Sequence, residues 1–531
     1  MVCPKQANIE KWSEQGLFAY RIAFSCLQVS KKKYLCGSSI LFIVGNTTIL
    51  ITIVAYFGVL LFISWLTGRN STGNDSFFLG NRKSPWYIVS IGMIGTSISG
   101  VTFVSVPGMV QKIDMTYLQT VIGFIFGYII IAKVLLPLYY RLQLTSIYSY
   151  LKDRIGNRGY KTGAFFFLLS KIVGAAARLY LVVLILQTYV FSSWNIPFWL
   201  TTVICILLVW VYTYKGGIKT IIWTDTLQTI CLITMLVLII FQVKNALGAD
   251  TVGMLHTLTE SPHFRIFEFS DWHSTQHFVK QFFSGIFIVI VMTGLDQDMM
   301  QKNLSCRSLK DAQKNVYSYG FAFLPVNFLF LSLGILLVAL AQQRQIPLPA
   351  MGEDLLPLFC TSGTLGQTVL VFFSLGIIAA AFSSADSALT ALTTSFCIDI
   401  LDIEKQDVKQ AKVTRLRVHL LFSVLFVLLI IVFKALNSRS VIDAIYMIAS
   451  YTYGPLLGLF IFGLFTKRQT CDKYVPFICI VSPLICFALD YVCKKYMGYT
   501  FSYEMLMING GLTFGGLWLA SINRKEILIK N

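Results

Sequence analysis

Thirteen runs of about 20 apolar residues follow one another along this chain, which restricts its fold more than any motif does. They lie at roughly 40–66, 86–110, 117–140, 162–190, 197–213, 219–243, 278–300, 316–341, 366–398, 416–434, 441–464, 475–493 and 502–522. In lipid a segment must satisfy its own backbone N–H and C=O groups, so each run is expected to be a helix. The expected fold class is an all-α polytopic membrane protein with about 13 transmembrane helices. Only 13% of the 531 residues are charged, against roughly 25% in soluble domains.

The formal net charge is +18, yet its placement argues against nucleic acid. Lys and Arg sit in short loops rather than on a basic face with interleaved aromatics. Every second loop is basic: Arg82 and Lys83; Arg141 to Lys161; Lys215 and Lys219; Lys302, Arg307, Lys310 and Lys314; Lys405 to Arg415; Lys467 to Lys473. These loops, and the C-terminus with Arg524 and Lys525, are therefore expected in the cytoplasm, with the protein in the cell membrane. Lys31, Lys32 and Lys33 run against that pattern, and translation starting near Val44 would remove the conflict. Twelve cysteines without C-x-x-C spacing supply neither a disulfide framework nor a zinc site. No nucleotide fingerprint and no clustered nucleophile and base are present, so an enzyme is not expected.

The runs fall into blocks: an N-terminal extension (1–38), a first extra helix and loop (39–85), five spans (86–243), an outer loop (244–277), five more spans (278–464), and two further helices with a tail (465–531). Two odd-numbered blocks must lie oppositely in the membrane, which makes them an inverted pair. The segments opening each block are interrupted, the first by Gly92, Gly95, Gly100, Pro107 and Gly108, the second by Gly294, Asp296 and Asp298. Such interruptions in corresponding positions predict broken helices around a midplane binding site.

Polar residues concentrate in a few stretches. In AAAFSSADSALTALTT (379–394), Ala380, Ser383, Ser384, Ser387, Ala391 and Thr394 share one helix face. Hydroxyls there and free carbonyls around Gly95–Ser99 would suit a hard cation such as Na⁺. Close helix packing, with hydroxyls bonded to the preceding turn, is the alternative. Asp225 and Asp386 are candidate cation ligands or proton acceptors, though Asp225 also has Lys215 and Lys219 within reach. Arg178 falls mid-span and suits an anionic substrate group, or pairing with Asp225, Asp296 or Asp298. Lys171, two turns away, is expected to snorkel. His273 and His277 have i, i+4 spacing but no accompanying Glu or thiol, so a solvated loop is the reading for 244–277.

Placed together, DSFFLGNRKSPWYIVSIGMIGTSISGVTF (75–103), GGIKTIIWTDTLQ (216–228), GLDQDMMQKNLSCRS (294–308) and AAAFSSADSALTALTTSFCIDI (379–400) make the chain resemble the sodium:solute symporter family. The resemblance implies a leucine-transporter-like five-plus-five inverted repeat and a sodium-coupled symporter of a small organic solute. The family's principal sodium site looks like the carbonyls of Gly95, Ile98 and Ala380 with the hydroxyls of Ser383 and Ser384. A second sodium site in some members resembles Ser383, Asp386, Ser387 and Asp225, with serine in those members at the position of Asp386. Positions that hold sugar in the glucose-transporting branch look like Thr102, Val121, Val289 and Met292, which argues against a hexose. Ser99, Thr102 and Arg178 resemble the sialic-acid-transporting branch instead, and Thr293 and Gln297 complete the implied substrate set. The expected partners are a small organic anion, sodium and membrane lipid, around a monomeric functional unit. Proton coupling and a passive channel remain as alternatives.

Overall fold

Each predicted run becomes helical, and two become helices with a sharp break. The computed structural model describes residues 39–69, 74–191, 194–214, 216–436, 441–499, 501 and 503–522. The calls on residues 1–38, including Lys31 to Lys33, and on Lys215, Arg524 and Lys525 lie outside the described residues. Compactness divides the chain at Ala55/Tyr56. The described part of the first unit is helical, and the second unit carries everything below.

In chain order the principal helices are α1 (Ser39–Gly68), α2 (Trp86–Ser97), α3 (Gly100–Ile113), α4 (Tyr117–Arg141), α5 (Asn157–Leu186), α6 (Phe198–Thr213) and α7 (Ile218–Ala246). There follow α8 (Phe278–Gly294), α9 (Gln297–Leu304), α10 (Leu309–Gln343), α11 (Gln367–Ile400), α12 (Val408–Ala435), α13 (Val441–Phe465), α14 (Val475–Tyr496) and α15 (Glu504–Leu519). Among the described residues eight helices are long and apolar enough to span a membrane, and the bent pairs α2/α3 and α8/α9 bring the number to ten. α6 and residues 449–465 of α13 are shorter apolar helices.

The two breaks have a local chemical cause. α2 ends at Ile98 (φ −85°, ψ 80°), and Ser99 turns extended, its hydroxyl accepting from Thr102 N–H to cap α3. α8 ends at Leu295, and extended Asp296 caps α9 by accepting from Asp298 N–H at 2.9 Å. The axes bend by 62° and 65°. Among the described residues no hydrogen bond reaches the carbonyls of Gly95 or Ile98. The corresponding carbonyls at the second break are taken, Gly294 by Tyr139 Oη and Leu295 by Tyr148 Oη.

Small residues set the closest approaches, as expected where helices pack without a hydrophobic driving force between them. A Cβ on Gly95 would lie 2.1 Å from Thr229 Oγ1, so α2 rests directly on α7. Gly123 of α4 faces Gly285 of α8, each with a partner-helix carbonyl 2.2 Å from an added Cβ.

The 244–277 segment is more ordered than the solvated loop expected. It contains the helix Thr251–Thr259, and its end is tied to the start of α4. Arg265 and His263 pair with Asp114, and Gln119 hydrogen-bonds Gln276 and Glu268 N–H. His277 is buried and caps α8, its Nδ1 accepting from Val279 N–H.

Candidate ion and substrate sites

The last turn of α2, the middle of α7, the small-residue face of α11 and the short helix α9 converge on a buried polar cluster. Asp225 of α7 is its centre and is fully buried. Asp225 Oδ1 accepts from Ser383 Oγ at 2.7 Å, and Oδ2 accepts from Thr96 Oγ1 at 3.0 Å and from Ser387 Oγ at 3.3 Å. Lys302 Nζ of α9 donates to the same Oδ2 at 2.6 Å. Two further bonds run from this ammonium to Ser387 Oγ at 2.7 Å and to Thr96 Oγ1. Asp386 stands beside the cluster, accepting from Tyr212 Oη at 2.8 Å and from Ser387 N–H at 2.6 Å.

Two expectations are corrected here. Lys302 does not belong to a cytoplasmic loop; it is 1% exposed and deep in the helix bundle. Asp225 pairs with Lys302, not with Lys219. A buried ion pair persists only when good geometry and extra hydrogen bonds offset desolvation, and here three hydroxyls supply those bonds.

The residues expected to hold sodium surround the first break. Ile98 and Ala380 are buried, and Thr96 Oγ1 is 3.5 Å from Ser383 Oγ. An added Cβ on Gly100 would lie 3.7 Å from Ala381 N, which measures how closely the break approaches α11. Ser384 Oγ donates to Ala380 O at 3.2 Å and also lines the adjoining cavity, whereas Ser383 points to Asp225. Hydroxyls of this face thus divide between a backbone bond at Ser384 and a polar cluster at Ser383. Among the described residues no group of three His, Cys, Asp or Glu side chains forms a metal cage.

Next to the break lies a cavity of about 170 Å³, lined in part by Ser99, Thr102, Arg178, Thr293, Tyr319 and Ser384. Ser99 Oγ and Thr102 Oγ1 are 3.2 Å apart. Also lining the cavity, Tyr128 Oη donates to Tyr319 Oη at 2.6 Å, and Tyr319 bonds Ser97 at the break. Lys171 does not snorkel. It is buried and bridges Asp296 at 3.1 Å and Asp298 at 2.8 Å. Tyr453 Oη donates to Asp296 as well. All three carboxylates offered to Arg178 by the sequence, Asp225, Asp296 and Asp298, are therefore occupied. Among the described residues no carboxylate lies within ion-pair distance of the Arg178 guanidinium, which faces the cavity.

Gln297 is not brought to the cavity. Its amide is spent on the 145–147 turn, accepting from Ile147 N–H at 3.0 Å and donating to Thr145 O at 2.9 Å. Thr96, Lys171, Tyr212 and Lys302 are the site residues missed from sequence. The signal for Lys302 was the i, i+4 step from Asp298, which puts both on one face of α9.

Over 446 residues the chain is 26% identical to the sodium/sialic acid symporter SiaT of Proteus mirabilis, covering 82% of this chain and 88% of that one. The sodium/sialic acid symporter NanT of Aliivibrio fischeri is also 26% identical, over 80% of this chain and 84% of its own length. The sodium-dependent multivitamin transporter of Oryctolagus cuniculus matches at 26% over 75% of this chain and 62% of its own. The fold superposes on a solved Na⁺-coupled sialic acid symporter with TM-score 0.76 and 23% identity, covering 90% of this chain and 97% of the other. The likeness carries the expected leucine-transporter-like five-plus-five architecture, with a broken helix opening each run of five. Residues 77–472 match the family model for sodium:solute symporters, so this chain is a member of the sodium:solute symporter family, an integral membrane transporter that couples solute to Na⁺ and is not an enzyme.

Proposed function

We propose that this symporter imports an organic anion, with sialic acid the foremost substrate. One observation carries the reading: Arg178 faces the cavity while Lys171 occupies Asp296 and Asp298. A guanidinium suits two-point recognition of a carboxylate, and two of the similar transporters are sodium/sialic acid symporters. Ser99, Thr102 and Thr293 hydroxyls then meet the substrate's polar groups, and Gln297 takes no part.

Sodium binds between the two halves at the first break, through the carbonyls of Gly95, Ile98 and Ala380 and the hydroxyls of Ser383 and Ser384. The unpaired carbonyls of Gly95 and Ile98 support this assignment. Na⁺ orders the break against α11, Ser384 touches both the ion and the cavity, and so ion and substrate each favour the other's binding. The runs 86–243 and 278–464 form the moving halves, with 39–85 and 465–531 as flanking helices and 244–277 as the outer loop. The working unit is a monomer in lipid, in the cell membrane, with a cytoplasmic C-terminus. Proton coupling through Asp225 and Asp386 is the weaker reading, because Asp225 is already paired to a lysine.

The test is uptake of labelled sialic acid into proteoliposomes under an inward Na⁺ gradient, with matched K⁺ and pH gradients. Accumulation above equilibrium with Na⁺ alone is expected. Uptake that never exceeds equilibrium would indicate a passive channel, and uptake driven by the pH gradient would indicate proton coupling. No uptake at all would overturn the substrate and leave the family standing.

A further inference from the structure

We infer that the Lys302 ammonium is a built-in substitute for a second sodium ion, so this transporter binds one Na⁺ per protein. The inference rests on the sodium-coupled reading above and deepens it.

The residues that resemble a second cation site do come together, but a positive charge already stands among them. An ammonium has three N–H donors, and Lys302 Nζ finds three acceptors: Asp225 Oδ2, Ser387 Oγ and Thr96 Oγ1. The remaining oxygens of the set are also committed. Asp225 Oδ1 holds Ser383, and both oxygens of Asp386 hold protein donors, Tyr212 and Ser387 N–H. A sodium ion here would compete with Lys302 for the same oxygens. With the side chain 1% exposed and tied on three sides, Lys302 has no solvent to retreat into. The donor set that suits a free cation is thus filled by a tethered one.

Tethering changes the coupling as well as the count. Lys302 belongs to α9, the far half of the second broken element, and its acceptors lie on α2, α7 and α11. It therefore joins the two broken elements permanently, where a dissociable ion would join them only when bound. Its carboxylate neighbours are Asp225, with Asp298 at 3.9 Å on the cavity side and Asp386 beyond Ser387. A fixed cation satisfies Asp225 at every stage of the cycle, leaving only the site at the first break to load and release sodium.

The experiment is equilibrium binding of ²²Na⁺ to the purified full-length protein in detergent, with no organic substrate added. The wild type is expected to bind one sodium ion, and Ser384→Ala to bind it about tenfold more weakly. Lys302→Met is expected to bind two, the second disappearing again in Lys302→Met/Asp225→Asn. Two ions in the wild type, or an unchanged sodium affinity in Ser384→Ala, would overturn the inference. So would a Lys302→Met protein that binds only one. If Lys302→Met does not fold, the wild-type count and the Ser384→Ala affinity decide alone. No sodium bound by the wild type would overturn both this inference and the sodium reading, whereas two ions would overturn the inference only.

Discussion

Lys171 Nζ lies 2.8 Å from Asp298 Oδ2, and the same ammonium holds Asp296 at 3.1 Å. Among the described residues Arg178 lines the cavity with no carboxylate within ion-pair distance. On its other side Asp298 stands 3.9 Å from Lys302. A line of alternating charge thus runs from the substrate cavity, through α9, to Asp225 and the hydroxyl face of α11.

Arg178→Ala removes the proposed anchor for the substrate carboxylate. Truncating one side of a buried, hydrogen-bonded charge pair costs about 2–5 kcal/mol, so KM for labelled sialic acid should rise about 30-fold or more. Arg178→Lys keeps the charge but loses two-point geometry and should recover only part. An unchanged KM in Arg178→Ala would remove Arg178 from the substrate site.

Lys171→Ala leaves buried Asp296 without its cation and Asp298 with only the longer contact to Lys302. A loss of about 3–5 kcal/mol is expected, read as a lower melting temperature in detergent. Asp298→Asn added to Lys171→Ala should restore part of it, since an unpaired amide costs less than an unpaired charge.

Ser384→Ala removes one proposed sodium ligand and leaves the Arg178 end of the cavity intact. The Na⁺ concentration for half-maximal uptake should rise about tenfold, equivalent to ~1.4 kcal/mol. Preference among organic anions should stay the same. A changed substrate preference with unchanged sodium dependence would reassign Ser384 to the substrate.

Gly123→Ala tests the α4–α8 contact, where the new Cβ would meet Phe282 O at 2.2 Å. Backbone cannot yield as a side chain does, and overpacking of about 1–3 kcal/mol should lower the melting temperature. Gly515→Ala in α15 meets nothing within 4 Å and serves as the control. It should be neutral or slightly stabilising.

Helix positions and both broken elements were legible from residues 86–110 and 278–300 because their causes are local. Apolar length marks a span, and a Ser or Asp cap after glycine marks where one helix stops and another starts. The hydroxyl stripe of 383–394 was legible for the same reason, since helical spacing puts it on one face. Gln297 misled because its amide suits a substrate as well as a turn, and only the 145–147 backbone reveals which it serves.

Hydropathy and residue chemistry, read along the chain, are enough to establish a polytopic helical membrane protein with interrupted helices and a small set of buried polar candidates. Tertiary structure alone assigned each buried charge its partner. Lys302 meets Asp225 across 77 positions and Thr96 across 206, and Lys171 meets Asp296 across 125. A lysine in a short polar segment has the same sequence signature whether it faces water or a carboxylate. Which of the two occurs depends on the helices that surround it, because a charge is stable in the bundle only where another segment brings the opposite charge and the hydroxyls to complete its bonds.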